Sequence, residues 1–78
     1  MMKVSNNKRD ILIFRTSITT ELEIERINIL FAQYSQIHKW NVDFEDWEKV
    51  LRIECRGITP ADVADALKII NIHATELE

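Results

Sequence analysis

The sequence predicts an α+β fold with the element order βαββαβ. Three observations predict it. Two stretches with helical spacing of apolar residues, Ile24 to Tyr34 and Val63 to Ile70, each follow a threonine-led helix start. Two alternating runs, Ile37 to Phe44 and Lys49 to Arg56, lie between them. A continuously apolar run, Ile11 to Phe14, precedes the first helix, and a short segment from Ile72 to Glu78 follows the second.

Residues 1–9 are polar and have no period, so a disordered arm is expected there. The arm holds Lys3, Lys8 and Arg9 and lacks the apolar centre of a secretory signal. Asp10 to Thr16 reads as a strand. Its apolar residues fall on both faces, as in the interior of a sheet. The next segment, Ile18 to Glu25, has the chemistry of a helix start. Thr20 is an N-cap, Glu23 stands three residues on as in a capping box, and Glu21, Glu23 and Glu25 lie at the positive end of the helix dipole. The helix runs from Glu21 to about Tyr34, with Ile24, Ile27, Leu30, Phe31 and Tyr34 in one stripe.

In the strand from Ile37 to Phe44, strict alternation puts His38, Trp40, Val42 and Phe44 on one face and Lys39, Asn41 and Asp43 on the other. Glu45 to Glu48 forms the hairpin connection. Lys49 to Arg56 is the third strand, where Leu51, Ile53 and Cys55 alternate with Val50, Arg52, Glu54 and Arg56. Gly57 breaks it. Thr59-Pro60-Ala61-Asp62 starts the second helix, whose stripe is Val63, Ala66, Leu67 and Ile70. Asn71 stands where a left-handed C-cap residue belongs. The last strand spans Ile72 to Glu78.

Two right-handed crossovers about a central hairpin make this the ferredoxin-like, or split βαβ, fold. The expected sheet is four-stranded and antiparallel, in order 4-1-3-2, with both helices on one face. Residues 10–78 form a single domain. If Leu12 and Phe14 face the helices, then Ile11, Ile13 and Val50 face outward with Arg52 and Glu54.

The formal charge of the 78-residue chain is −3, and without the three cations of the arm it is −6. An acidic body argues against a phosphate-binding surface, and so against nucleic acid. RNA-binding sheets of this fold carry aromatics on the first and third strands, and the third strand here has none. No apolar run reaches the length of a membrane span. The single cysteine, Cys55, precludes an internal disulfide and suits a reducing cytoplasm. No Ser-His-Asp, Cys-His or paired-carboxylate arrangement and no glycine-rich phosphate loop can be placed, so neither an enzyme nor a cofactor is expected.

From Ile11 to Leu77 the chain resembles the heavy-metal-associated (HMA) domain, the copper-chaperone-like family with this fold. That family opens its first helix with Met-Thr-Cys-x-x-Cys. The resemblance places Ile18 on the Met, Thr19 on the Thr, Thr20 on the first Cys and Glu23 on the second. Ser35-Gln36-Ile37 falls on the family's Asp-Gly-Val turn, Asn41-Val42-Asp43-Phe44 on its second strand, Ile58 to Val63 on its second helix start and Asn71-Ile72 on its Gly-Tyr. The family's chemistry needs two thiolates three residues apart to grip Cu(I), a soft ion. Thr20 and Glu23 supply no soft ligand. The resemblance therefore implies the fold more than the activity.

The remaining candidates divide between structural and functional readings. Cys55 lies on the face of Leu51 and Ile53, as a buried small hydrophobe would. His38 and His73 belong to opposite edges and ends of this topology. His73 shares an end with Thr20 and Glu23, which makes it a weak hard-ion candidate. Trp47 either folds over a core edge with Trp40 or stands exposed as a partner anchor. Ile11, Ile13, Val50 and Arg52 on the open sheet face suit a protein partner or a weak homodimer. The expected function is a non-enzymatic protein-interaction module on an HMA-type framework. The alternative is metal binding or trafficking through non-cysteine or shared ligands.

Overall fold

The structure is a computed structural model, and it describes residues 10–77. The expected arm over residues 1–9 and the last residue of the expected final strand lie outside the described residues. The elements are β1 (Asp10–Thr16), α1 (Glu21–Phe31), β2 (Ile37–Asp43), β3 (Val50–Cys55), α2 (Pro60–Ile69) and β4 (Ala74–Glu76). The sheet order is β2-β3-β1-β4, with every neighbouring pair antiparallel. Read from the other edge this is 4-1-3-2, the predicted topology.

The register settles the phase of β1. Leu12 stands opposite Ile53 and Phe14 opposite Leu51, and all four are buried. Directly opposed residues share a face, so these four form the sheet's floor under the helices. Ile27 and Phe31 of α1, and Val63 and Leu67 of α2, complete the core above it. On the other face Ile11 opposes Glu54 and Ile13 opposes Arg52, as the alternation predicts.

Both ends of α2 are set by identifiable chemistry. Thr59 caps α2: its hydroxyl accepts from the Asp62 amide at 3.1 Å, and the Asp62 carboxylate accepts from the Thr59 amide at 3.5 Å. At the other end Asn71 takes a positive φ of 67°. The Asn71 amide donates to the Lys68 carbonyl at 2.9 Å and the Ile72 amide to the Leu67 carbonyl at 3.0 Å, which is a Schellman motif. Ile72 and Leu67, the pair that this motif brings together, are both buried. The first helix stops at Phe31, short of the predicted Tyr34. There the chain tightens into a turn, with Gln33 and Tyr34 amides donating to the carbonyls three residues back, Leu30 and Phe31. Tyr34 still packs against the core.

The expected faces of β2 need correcting at its start. The register with β3 runs Ile37↔Cys55 and then Lys39↔Glu54, so one extra residue sits between them. This bulge takes His38 out of the alternation. Ile37, Trp40 and Val42 face the core side, while His38 is exposed. The strand also ends at Asp43, and Phe44 is an exposed loop residue. Lys49 precedes β3 rather than opening it, because its φ is +49°, a turn conformation. Arg56 also lies just outside β3, although its amide still donates to the Gln36 carbonyl at 2.9 Å. The final strand is only Ala74–Glu76. Ile72 belongs to the Schellman motif, and His73 is tied to Ser17, which leaves three residues to pair with Phe14, Arg15 and Thr16.

Candidate functional site

One end of the domain gathers three loops: residues 17–20, residues 44–49 and residues 70–73. The first is fastened on both sides. The Ser17 amide donates to the His73 carbonyl at 3.0 Å, and the His73 amide donates to the Ser17 hydroxyl at 3.1 Å. The Thr16 amide donates to the Glu48 carbonyl at 3.1 Å, and its hydroxyl donates to the Lys49 carbonyl at 2.7 Å. Arg15 adds an ion pair to Glu48 at 3.1 Å. Ile18 is fully buried and anchors the loop from beneath.

At the top of this loop, Thr20 and Glu23 stand in a capping-box arrangement. The short hydrogen bonds converge on the Glu23 carboxylate. Its Oε1 accepts from the Thr19 amide at 2.8 Å, the Thr19 hydroxyl at 3.2 Å and the Thr20 amide at 3.2 Å. These donors, the Thr19 amide foremost, hold the Glu23 carboxyl below its ordinary value of 4.5. A group with a lowered folded pKa contributes stability that is complete above its unfolded pKa and is lost as the pH falls through the folded one. Glu23→Ala is therefore expected to lower stability at neutral pH by roughly 1 kcal/mol, in the range of lost helix caps. It should also flatten the fall in stability below pH 4.5, relative to wild type. Thermal denaturation between neutral pH and pH 3 measures both effects, and an unchanged acid profile would mean that the contact does not stabilise the fold.

The same end offers little to a soft metal. Glu23 is engaged with Thr19 and Thr20, and His73 is exposed, its backbone tied to Ser17. Among the described residues there is no cluster of three or more potential metal ligands. The one sulfur ligand among the described residues, Cys55, is fully buried and pairs with Asp10 at the opposite end of β1. That is about 20 Å from the loop by strand rise. Burial, and then the charge of Asp10, push its thiol pKa up, away from the thiolate that binds metal. His38, on the far edge strand, joins neither group.

The sequence-predicted interaction residues fall into two places. Trp47 is 84% exposed and does not fold over the core. The loop around it is organised by aspartates: Asp43 accepts from the Glu45 amide at 3.0 Å and Asp46 from the Glu48 amide at 2.8 Å. Trp40, by contrast, packs edge-on against Phe31 with ring centroids 5.6 Å apart. Ile11, Ile13, Val50 and Arg52 lie together on the open sheet face. Ile11 is 52% exposed, and Ile13 and Val50 are partly so. Val50 and Arg52 also line a cleft of about 450 Å³ with Asn41, Asp43 and Asp46. Sequence reasoning missed three other exposed apolar residues, Leu22 and Ile29 on α1 and Ile69 on α2. Their signal was present, since all three fall outside the helical stripes.

Solved structures share this fold. The N-terminal domain of PacS from Synechocystis PCC6803 superposes with a TM-score of 0.74 at 16% identity, covering 88% of this chain and 98% of that one. The apo form of the HMA domain of the copper chaperone for superoxide dismutase gives 0.73 at 14% identity, covering 100% and 79%. The chain has the fold of an HMA domain. The N-terminal domain of ZntA in its apo form is similar in the same way, with a TM-score of 0.72 at 12% identity over 91% of this chain and 96% of that one. No family model matches the sequence, and no curated protein matches it. The resemblance read from Ile11 to Leu77 thus holds for the HMA framework. No helix among the described residues is long and apolar enough to cross a membrane.

Proposed function

We propose that this protein is a small, non-enzymatic protein-interaction module of the cytoplasm, built on an HMA framework whose metal loop has become an internally capped one. The observation that carries the reading is the state of Glu23. At the place that the resemblance aligns with a metal thiolate stands a carboxylate already accepting three hydrogen bonds from its own loop. The surfaces left for contact are the open sheet face, with Ile11, Ile13, Val50 and Arg52, and the exposed Trp47. Covering an exposed isoleucine or valine in a complex contributes roughly 1.5–3 kcal/mol when burial is complete. Trp47 is the kind of side chain that anchors an interface.

Titration of the reduced protein with Cu(I) and with Zn(II) tests the metal side of this reading. No stoichiometric complex tighter than micromolar is expected. A tighter one would overturn the proposal in favour of metal trafficking through oxygen, nitrogen or shared ligands. Affinity capture from the source cell tests the contact side. Proteins retained by wild type should be lost with folded Ile13→Lys or Trp47→Ala, and retention by both variants would remove these surfaces from the account.

A further inference from the structure

We infer that the β2 edge pairs with the β2 edge of a second copy, making one continuous eight-stranded sheet. Among the described residues β2 has β3 on one side and no strand on the other. It is seven residues long and contains no proline. An edge of this kind presents unpaired amides and carbonyls, a template for another strand.

The side chains select the occupant. Beyond the bulge, Lys39, Asn41 and Asp43 lie on the open face and are exposed, while Trp40 and Val42 lie on the core side and are half-buried. This pattern is self-complementary about Asn41. In an antiparallel pair with the two-fold at Asn41, Lys39 of each copy stands opposite Asp43 of the other. On the opposite face Trp40 meets Val42. Directly opposed charges of unlike sign stabilise a strand pair, and a two-fold makes each such contact twice. Centring the axis on Trp40 instead sets Lys39 against Asn41 and leaves both charges unmet.

Both groups are available. Lys39 is exposed and stands opposite Glu54 of its own chain on one side, with its other side facing the open edge of the sheet. Asp43 gives one oxygen to the Glu45 amide and keeps the other. A lone lysine on an edge strand repels a neighbour. A lysine balanced by an aspartate about a central amide favours the one register that pairs them, whereas a two-fold at Lys39 or at Asp43 would oppose like charges. The pairing keeps the helices of both copies on one side, and it joins the two open faces into a single surface.

Sedimentation velocity over a concentration series to millimolar reads the association. Wild type should dimerise. Lys39→Asp and Asp43→Lys should each weaken the dimer by at least about tenfold, because each change places two like-charge pairs in the interface. The double reversal Lys39→Asp/Asp43→Lys should restore it. Both positions are exposed, and circular dichroism checks that the variants fold. A wild type that stays monomeric overturns the inference. So does a dimer indifferent to the single reversals, or one not restored by the double. A dimer abolished by Ile13→Lys but untouched by the reversals overturns it in favour of the open face. Should a variant not fold, amide exchange of wild type decides. Protection at Trp40 to Val42 that rises with concentration supports the pairing, and protection that does not change overturns it.

Discussion

Phe14→Ala is expected to leave the protein largely unfolded. The ring is 1% exposed, stands opposite Leu51 in β3 and Glu76 in β4, and belongs to the core that both helices cover. Truncating a buried phenylalanine costs about 3–5 kcal/mol, from lost transfer energy and from the cavity left behind. A domain of this length has a total stability near the lower end of the usual range, roughly 5 kcal/mol. The loss is therefore comparable to the whole. Urea denaturation followed by circular dichroism measures it. Ile13→Lys is the control on the other face of the same strand, and it should stay folded. If Ile13→Lys unfolds the chain while Phe14→Ala is tolerated, the phase of β1 is the reverse of the one described.

The two tryptophans should differ almost as sharply. Trp40 is half-buried at the sheet edge, and its ring meets Phe31 at an interplanar angle of 89°. Replacing it with alanine removes apolar burial and an edge-to-face aromatic contact, together about 2–3 kcal/mol. Trp47→Ala removes a side chain that touches little, and its expected effect is within about 0.5 kcal/mol. Iodide quenching gives a second readout from the same variants. The fluorescence left in Trp40→Ala should be freely quenched, and that left in Trp47→Ala should be shielded. Equal stabilities for the two variants would contradict the packing of Trp40.

Much of this architecture is legible in the sequence because local chemistry and tertiary packing agree. The phase of β1 follows from Leu12 and Phe14 matching Leu51 and Ile53. The ends of α2 follow from Thr59, Pro60 and Asp62 at one end and from Asn71, which takes the left-handed conformation, at the other. The failures have local causes too. A period of two cannot register the extra residue at His38, because the bulge exists only relative to β3. Nothing at Ala32 or Gln33 stops a helix, and α1 ends there with neither glycine nor proline in the turn. The length of β4 depends on how much chain the Schellman motif and the Ser17 link remove before pairing begins. At the candidate site, a Thr20–Glu23 capping box is readable from spacing. That Glu23 reaches one residue further back, to both the amide and the hydroxyl of Thr19, is a matter of loop conformation. The exposure of Trp47 is undecided by sequence, since a tryptophan beside acids suits a core edge or open water.

The strand order also has a consequence in time. The central strand β1 finds no neighbour close to it along the chain. Its partners are β3, beyond the first helix and the hairpin, and β4, at the far end of the described residues. Only β2 and β3 meet across a short connection. Long loops must therefore close before the middle of the sheet gains anything from being formed, and such closure slows folding much more than it weakens the folded state. During that interval the apolar run from Ile11 to Phe14 is a strand without a sheet. A newly made chain is then most open to mispairing, and stopped-flow refolding at rising protein concentration is where that exposure would be seen.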